Sequence, residues 1–129
     1  MIQMERRKIE SFEDLLVWQE GIRLAKAIYL LTADGDLKRD FGLRDQLRRA
    51  AVSVPTNIAE GFERASRKEY LLFLNIAKGS AGEVQSLLRV ALEVGYLGRP
   101  RHDELRDAAL KLSRYLSNHI KALKRTADG

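Results

Sequence analysis

Apolar residues recur every three or four positions along four stretches of the chain, and each stretch is bounded by capping or turn residues. In the first, Phe12, Leu15, Trp18, Ile22, Ala25 and Tyr29 form one stripe, widened by Leu16 and Ile28. Ser11 with Glu13 and Asp14 supplies a start, and Ala33-Asp34-Gly35-Asp36 is turn chemistry, which predicts a helix over about 12–32. The second seam is Leu47, Ala50, Ala51, Val54 and Ile58 behind Asp40 as cap, predicting a helix over 41–62. Pro55 lies inside it, where it removes one backbone hydrogen bond and presses on the carbonyl four residues back. Because Ile58, Ala59 and Phe62 keep the register, a kinked but continuous helix is expected.

Ser66 to Glu69 reads as a capping box opening a third helix over 67–95, with the seam Tyr70, Phe73, Leu74, Ala77, Ala81, Val84, Leu88 and Ala91 and a stop at Gly95. A second stripe, Asn75, Gly79, Gly82 and Ser86, is small and polar, the pattern that lets a neighbouring backbone come close. Gly79 to Gly82 falls in mid-helix, so it is no phosphate loop. The fourth helix, over 102–124, carries Leu105, Ala109, Leu112, Leu116, Ile120 and Leu123, after which residues 125–129 are expected to fray. Four helices on short connections predict an all-α, antiparallel up-down-up-down four-helix bundle, one domain over 1–129, with the second helix kinked at Pro55. The first and third seams are wider than a narrow bundle seam needs, which leaves surface for an oligomer interface.

Composition narrows the chemistry. At 45% apolar and 32% charged residues, the 129-residue chain can bury a core without being a membrane span. No apolar run approaches the roughly 18 residues that cross a bilayer. There is no cysteine for disulfides or thiolate metal sites, and no leader-like segment, so a cytoplasmic protein is expected. The net charge of +5 is uneven: residues 41–68 hold 6 Lys/Arg against 3 Asp/Glu and residues 99–129 hold 8 against 4, while the other segments are near neutral. Two regions therefore carry the whole basic excess, either as solvated helix faces or as a nucleic-acid surface. Part of the second, Lys121, Lys124 and Arg125, complements the helix macrodipole without any ligand.

On the second helix, Arg44, Arg48 and Arg49 stand beside a polar ridge of Gln46, Ser53, Asn57, Glu60 and Arg64. They could grip phosphates while Ser53 and Asn57 bond sugars or bases. Alternatively Asp45 pairs with Arg49, and Ser53, Asn57 and Glu60 join Lys78 or Ser80 in a network that fixes helix register after the proline. Catalysis and metal have little to build on. There is no Glu-x-x-His motif, and the two histidines, His102 and His119, cannot close a zinc site, so neither metal nor cofactor is expected. Arg114 and His119 resemble the Arg-x4-6-His motif of HEPN-superfamily ribonucleases, but the pattern is short, and for a histidine beside the apolar seam a packed, hydrogen-bonded role is the commoner explanation.

Phe12-Glu13-Asp14-Leu15-Leu16-Val17-Trp18, then FGLRDQLRRAAVSVPTNIAEGFERASRKEYLLFLNIAKGSAGEVQSLL and Gly95-Tyr96-Leu97 carry a wider resemblance. Over about residues 12–97 the chain resembles the bacterial four-helix bundles encoded by intervening sequences within 23S ribosomal RNA genes. The resemblance implies a homopentamer. It also implies kinship with the accessory variability proteins of diversity-generating retroelements, which bind nucleic acid and a reverse transcriptase through a basic surface. Ser53, Pro55, Asn57, Glu60, Gly61, Gly79 and Glu83 match the family motif, with a structural role and no catalytic residues implied. The sequence thus favours a non-enzymatic oligomer binding RNA or DNA through Arg44, Arg48, Arg49, Lys121, Lys124 and Arg125. Its competitor is a scaffold for a protein partner, such as a reverse transcriptase, with Trp18, Tyr29 and Phe41 as anchors.

Overall fold

In a computed structural model that describes residues 8–128, a 3-10 turn at Phe12–Asp14 precedes five α-helices: α1 (Leu16–Leu31), α2 (Gly35–Arg39), α3 (Phe41–Glu63), α4 (Arg67–Glu93) and α5 (Arg99–Asp128). No strand occurs among the described residues. Packing closes a ring, α1 against α3, α3 against α4, α4 against α5 and α5 against α1. The short α2, where the sequence reads only a turn, adds a fifth helix: Gly35 takes the positive φ of 69° that opens it, and Leu37 is buried against the bundle.

The chain start departs from expectation. Ser11 caps the 3-10 turn rather than α1: its Oγ accepts from the Glu13 amide, while Asp14 accepts from the Ser11 amide. Leu15 is extended, and α1 begins only at Leu16. Its buried face is Val17, Gly21, Leu24, Ala25 and Ile28, one position out of phase with the stripe of Trp18, Ile22 and Tyr29. Pro55 decides the phase. A Cβ on Gly21 would stand 3.3 Å from the Pro55 ring, so α1 presents its smallest residue where α3 carries its bulkiest backbone feature. Ile22 and Tyr29 are consequently exposed, and Trp18 is half-buried against Phe12.

The other seams form the core as the sequence orders them. Leu47, Ala50, Ala51, Val54 and Ile58 of α3 meet Leu74, Ala77, Ala81, Val84 and Leu88 of α4, and Leu105, Ala109, Leu112, Leu116 and Ile120 of α5 close the far side. The helix α3 runs unbroken through Pro55. Asp40 caps it by accepting from the Leu43 amide, and Tyr96 donates to the same carboxylate, tying the α4–α5 connection to this end. Ser66 caps α4. The last helix exceeds the expected 102–124 at both ends: Pro100 fits its first turn, and residues expected to fray continue it to Asp128.

Candidate nucleic-acid interface

The α3 arginines are mostly engaged within the chain. Arg44 Nε donates to Asp45 Oδ1 at 2.9 Å and its Nη1 to the Lys38 carbonyl at 3.1 Å, with the guanidinium 4.7 Å from the Phe41 ring centroid. Asp45 therefore pairs with Arg44 and not with Arg49. Arg48 Nε donates to Thr32 Oγ1 at 2.8 Å, and its guanidinium lies 4.5 Å from the Tyr29 ring centroid. Thr32 is fully buried and its hydroxyl donates to the Ile28 carbonyl, so Arg48 fastens the end of α1 to α3. Only Arg49 is exposed and without an ion pair among the described residues, in an open cleft of ≈ 540 Å³ with Tyr29, Ser53 and Thr56.

The motif residues after Arg49 hold helices together. Ser53 Oγ lies 2.9 Å from Ser80 Oγ, joining α3 to α4, and Asn57 Nδ2 donates both to Ser53 Oγ and to the Ser53 carbonyl. Thr56 donates to the Val52 carbonyl in the same stretch. These bonds surround Pro55, which has no N–H to offer the Ala51 carbonyl. A Cβ on Gly61 would fall 2.6 Å from Phe73 Cβ, so this glycine sets how closely α3 approaches α4. Glu60 does not join the network: it is exposed and pairs with Arg64 at 2.7 Å, and Lys78 is exposed as well. Gly79 and Glu83 are exposed too. A Cβ on Gly79 or Gly82 would meet nothing within 4 Å, so no backbone among the described residues lies against these two glycines of the small stripe. Leu72, Ile76 and Val90 are exposed beside it, so this face of α4 carries an apolar strip among the exposed polar side chains of Asn75, Glu83 and Ser86.

On α5 several cations lack an acidic partner among the described residues, although Lys111 Nζ lies 5.6 Å from the Tyr115 ring centroid. At 100° per residue, Lys111, Arg114, Asn118, Lys121 and Arg125 fall within a sector of about 80° and span about 21 Å. All five are exposed, and the four cations form no ion pair among the described residues. Lys124, also exposed, lies about 60° outside the sector. Three of the four acids of α5, Asp103, Glu104 and Asp107, cluster at its other end, where Glu104 pairs with Arg101 and Asp107 with Arg106. The sequence reading singles out Lys121, Lys124 and Arg125 but passes over Lys111 as a contact, although the helical register that joins them is legible. The two expected basic groups are not brought together. His119 of α5 bonds Tyr70, which packs edge-on to Phe62 near the end of α3, about 20 Å along that helix from Arg48.

Beside the ridge, two cavities follow one another along the α1–α5 seam. One of ≈ 200 Å³ lies among Glu20, Arg23, Leu24 and Lys111; the other, of ≈ 290 Å³, is lined by Leu15, Leu16, Val17, Tyr115, Asn118 and His119. His119 Nε2 lies 2.8 Å from the Tyr70 hydroxyl, with the rings edge to face at 5.7 Å. Burial pulls the His119 imidazole below its ordinary pKa and pushes the Tyr70 hydroxyl up to about 12. Arg114 projects about 140° away from His119 around the helix. His102 is buried in the first turn of α5, its Nδ1 2.8 Å from Asp103 Oδ1; this bond, then Arg106 and Arg99, holds Asp103 below the usual carboxylate range. Among the described residues no three His, Cys, Asp or Glu side chains converge as a metal site, and no helix is long and apolar enough to cross a membrane.

A family model described as 23S rRNA-intervening sequence protein matches residues 13–118. A crystal structure of a protein with unknown function from the S23 ribosomal protein family of Bacteroides thetaiotaomicron superposes with a TM-score of 0.75 at 23% identity, covering 82% of this chain and 99% of that one. That likeness is one of fold. No curated protein matches the chain.

Proposed function

This chain belongs to the 23S rRNA-intervening sequence protein family, and from that premise we propose a non-enzymatic, oligomeric bundle that binds RNA or other structured nucleic acid through phosphate contacts. The observation that carries the reading is the α5 ridge, whose cations face solvent with no acid of the described chain folded onto them. Lysine and arginine left in that state meet phosphate at little reorganisation cost. Glu10, Glu13, Glu63 and Glu69 lie toward the same end, so attraction rests on the placement of individual cations rather than on net charge. Arg49 extends the surface on another side; Arg44 and Arg48 leave the set of contacts.

The bundle in this reading is four long helices in up-down-up-down order, bent at Pro55, and it acts in the cytoplasm. The uncovered α4 face, with Leu72, Ile76 and Val90 around the small stripe, supports self-assembly, and the family resemblance makes the assembly a pentamer. Repetition of the ridge then multiplies weak phosphate contacts. Labelled RNA titrated at several salt concentrations tests the reading: log affinity should fall linearly with log salt. Absence of binding at low salt, or binding indifferent to salt, overturns it. Light scattering tests the assembly, and a monomer would overturn that part.

A scaffold for a protein partner, such as the reverse transcriptase of a diversity-generating retroelement, is the second reading. Phe41 favours it: this ring is 65% exposed beside the Arg44 guanidinium, an apolar anchor with a polar neighbour. A partner retained after nuclease treatment supports the scaffold, and one lost with the nucleic acid supports the first reading.

A further inference from the structure

The ≈ 290 Å³ cavity at the start of α1 adjoins the cationic ridge, and its lining is mixed in a particular way. Leu15, Leu16 and Val17 form one wall and the Tyr115 ring another, and among the described residues Asn118, His119 and the Tyr115 hydroxyl are its polar groups. The Asn118 amide makes no hydrogen bond within the described residues, so a donor and an acceptor are both available. His119 Nε2 is committed to Tyr70, leaving Nδ1 as its other ring nitrogen. Asn118 belongs at once to cavity and ridge. Arg114 lies one turn before it and Lys121 one turn after, both exposed.

Resting on the nucleic-acid reading above, we propose that this cavity receives one unstacked base of a single strand. The flanking phosphates lie on Arg114 and Lys121, the flat ring enters between Leu16 and Tyr115, and the Asn118 amide bonds its polar edge. The chemistry selects this occupant. An aliphatic chain would leave Asn118 unmatched, and an acidic peptide offers charge without a flat ring that has a hydrogen-bonding rim. A duplex keeps its bases stacked and paired, so it would touch only the ridge, whereas a single strand gains the stacking contact as well.

Fluorescence anisotropy separates the two layers of contact, using a labelled single-stranded RNA, the same strand carrying an abasic tract, and the corresponding duplex. The full strand should bind about tenfold more tightly than the abasic strand. Leu16→Trp, which fills the cavity from an exposed position, should abolish that preference while leaving the salt-dependent binding of the abasic strand in place, and Asn118→Ala should reduce the preference by removing the bond to the base edge, with circular dichroism confirming the fold. Lys121→Glu should weaken all three ligands together. Equal affinity for full and abasic strands, or a preference that survives Leu16→Trp, overturns the base pocket and leaves the phosphate surface standing. Failure of every nucleic acid to bind at low salt overturns both.

Discussion

The cations of α3 and α5 look alike in sequence and behave oppositely in the fold. Arg44 and Arg48 point into partners of the chain itself, a carboxylate, two carbonyls, a buried hydroxyl and two aromatic rings. Arg114, Lys121 and Arg125 have no such partner among the described residues and Lys111 has only the Tyr115 ring, 5.6 Å from its ammonium; all four are exposed along one face. A basic segment is therefore a binding surface only to the extent that its cations are uncommitted, and commitment is decided by what the rest of the chain brings to them. The helix α3 is a packing element that happens to be basic; α5 packs with one face and presents charge on another.

The contrast is broken most sharply by a change where α3 is tightest. Gly61→Ala puts a methyl group 2.6 Å from Phe73 Cβ, and the resulting shift of α4 should cost about 1–3 kcal/mol in urea unfolding. Stability equal to wild type would mean that α3 and α4 are not held at that distance. Arg48→Ala comes next. It removes a charged hydrogen bond to Thr32 and the contact over Tyr29, a loss of about 1–2 kcal/mol, and Arg48→Lys should recover only part because an ammonium lacks the planar fork. The paired change Lys121→Glu with Arg125→Glu should do the reverse, leaving stability within about 0.5 kcal/mol while RNA affinity falls at least about tenfold and the salt dependence flattens. A fall in stability with unaltered affinity would exchange the roles assigned to the two helices.

Smaller effects refine the picture. Gly79→Ala and Gly82→Ala add a methyl group in open space on a helix, so each should stabilise the isolated chain by about 0.5–1 kcal/mol. If copies meet across this face, the same changes loosen the assembly, and light scattering beside a thermal melt reads the opposite signs. The Tyr70–His119 bond adds a pH signature. His119 has its folded pKa below the unfolded value, so the unfolded chain binds the proton more readily, and stability should decline as pH falls through about 6.5. Tyr70 keeps its proton up to about 12 when folded, so stability should decline again as pH rises above about 10. His119→Gln should flatten the acid limb alone, as followed by urea midpoints across pH.

Much of this architecture is written locally. The seams of α3, α4 and α5 and the caps at Asp40 and Ser66 depend on residues within a few turns of one another, and periodicity reveals them. What escapes is set across the chain. The phase of α1 is ambiguous because apolar residues surround most of that helix, and only the proline seated against Gly21 selects the buried side. The helix at Gly35–Arg39 escapes because one buried leucine in five residues makes no periodic signal. Arg48 reaches a threonine on another helix, and no spacing rule anticipates that pair. For the candidate site, the register of the α5 cations is legible from the sequence alone. That no acid of the described chain folds over them, and that a cavity opens beside Asn118, requires the fold.

The seating of Pro55 against Gly21 also constrains how this sequence diverges. A proline inside a helix is ordinarily disfavoured by about 3 kcal/mol, yet here its ring fills the space that the glycine leaves. Replacing Pro55 alone restores a helix hydrogen bond but vacates that space, and enlarging Gly21 alone crowds the ring. Each single step is obstructed, while the double step exchanges one close fit for another. The two positions, 34 residues apart by their numbers, should drift as a coupled pair through descent, and a lineage that abandons the proline should abandon the glycine with it.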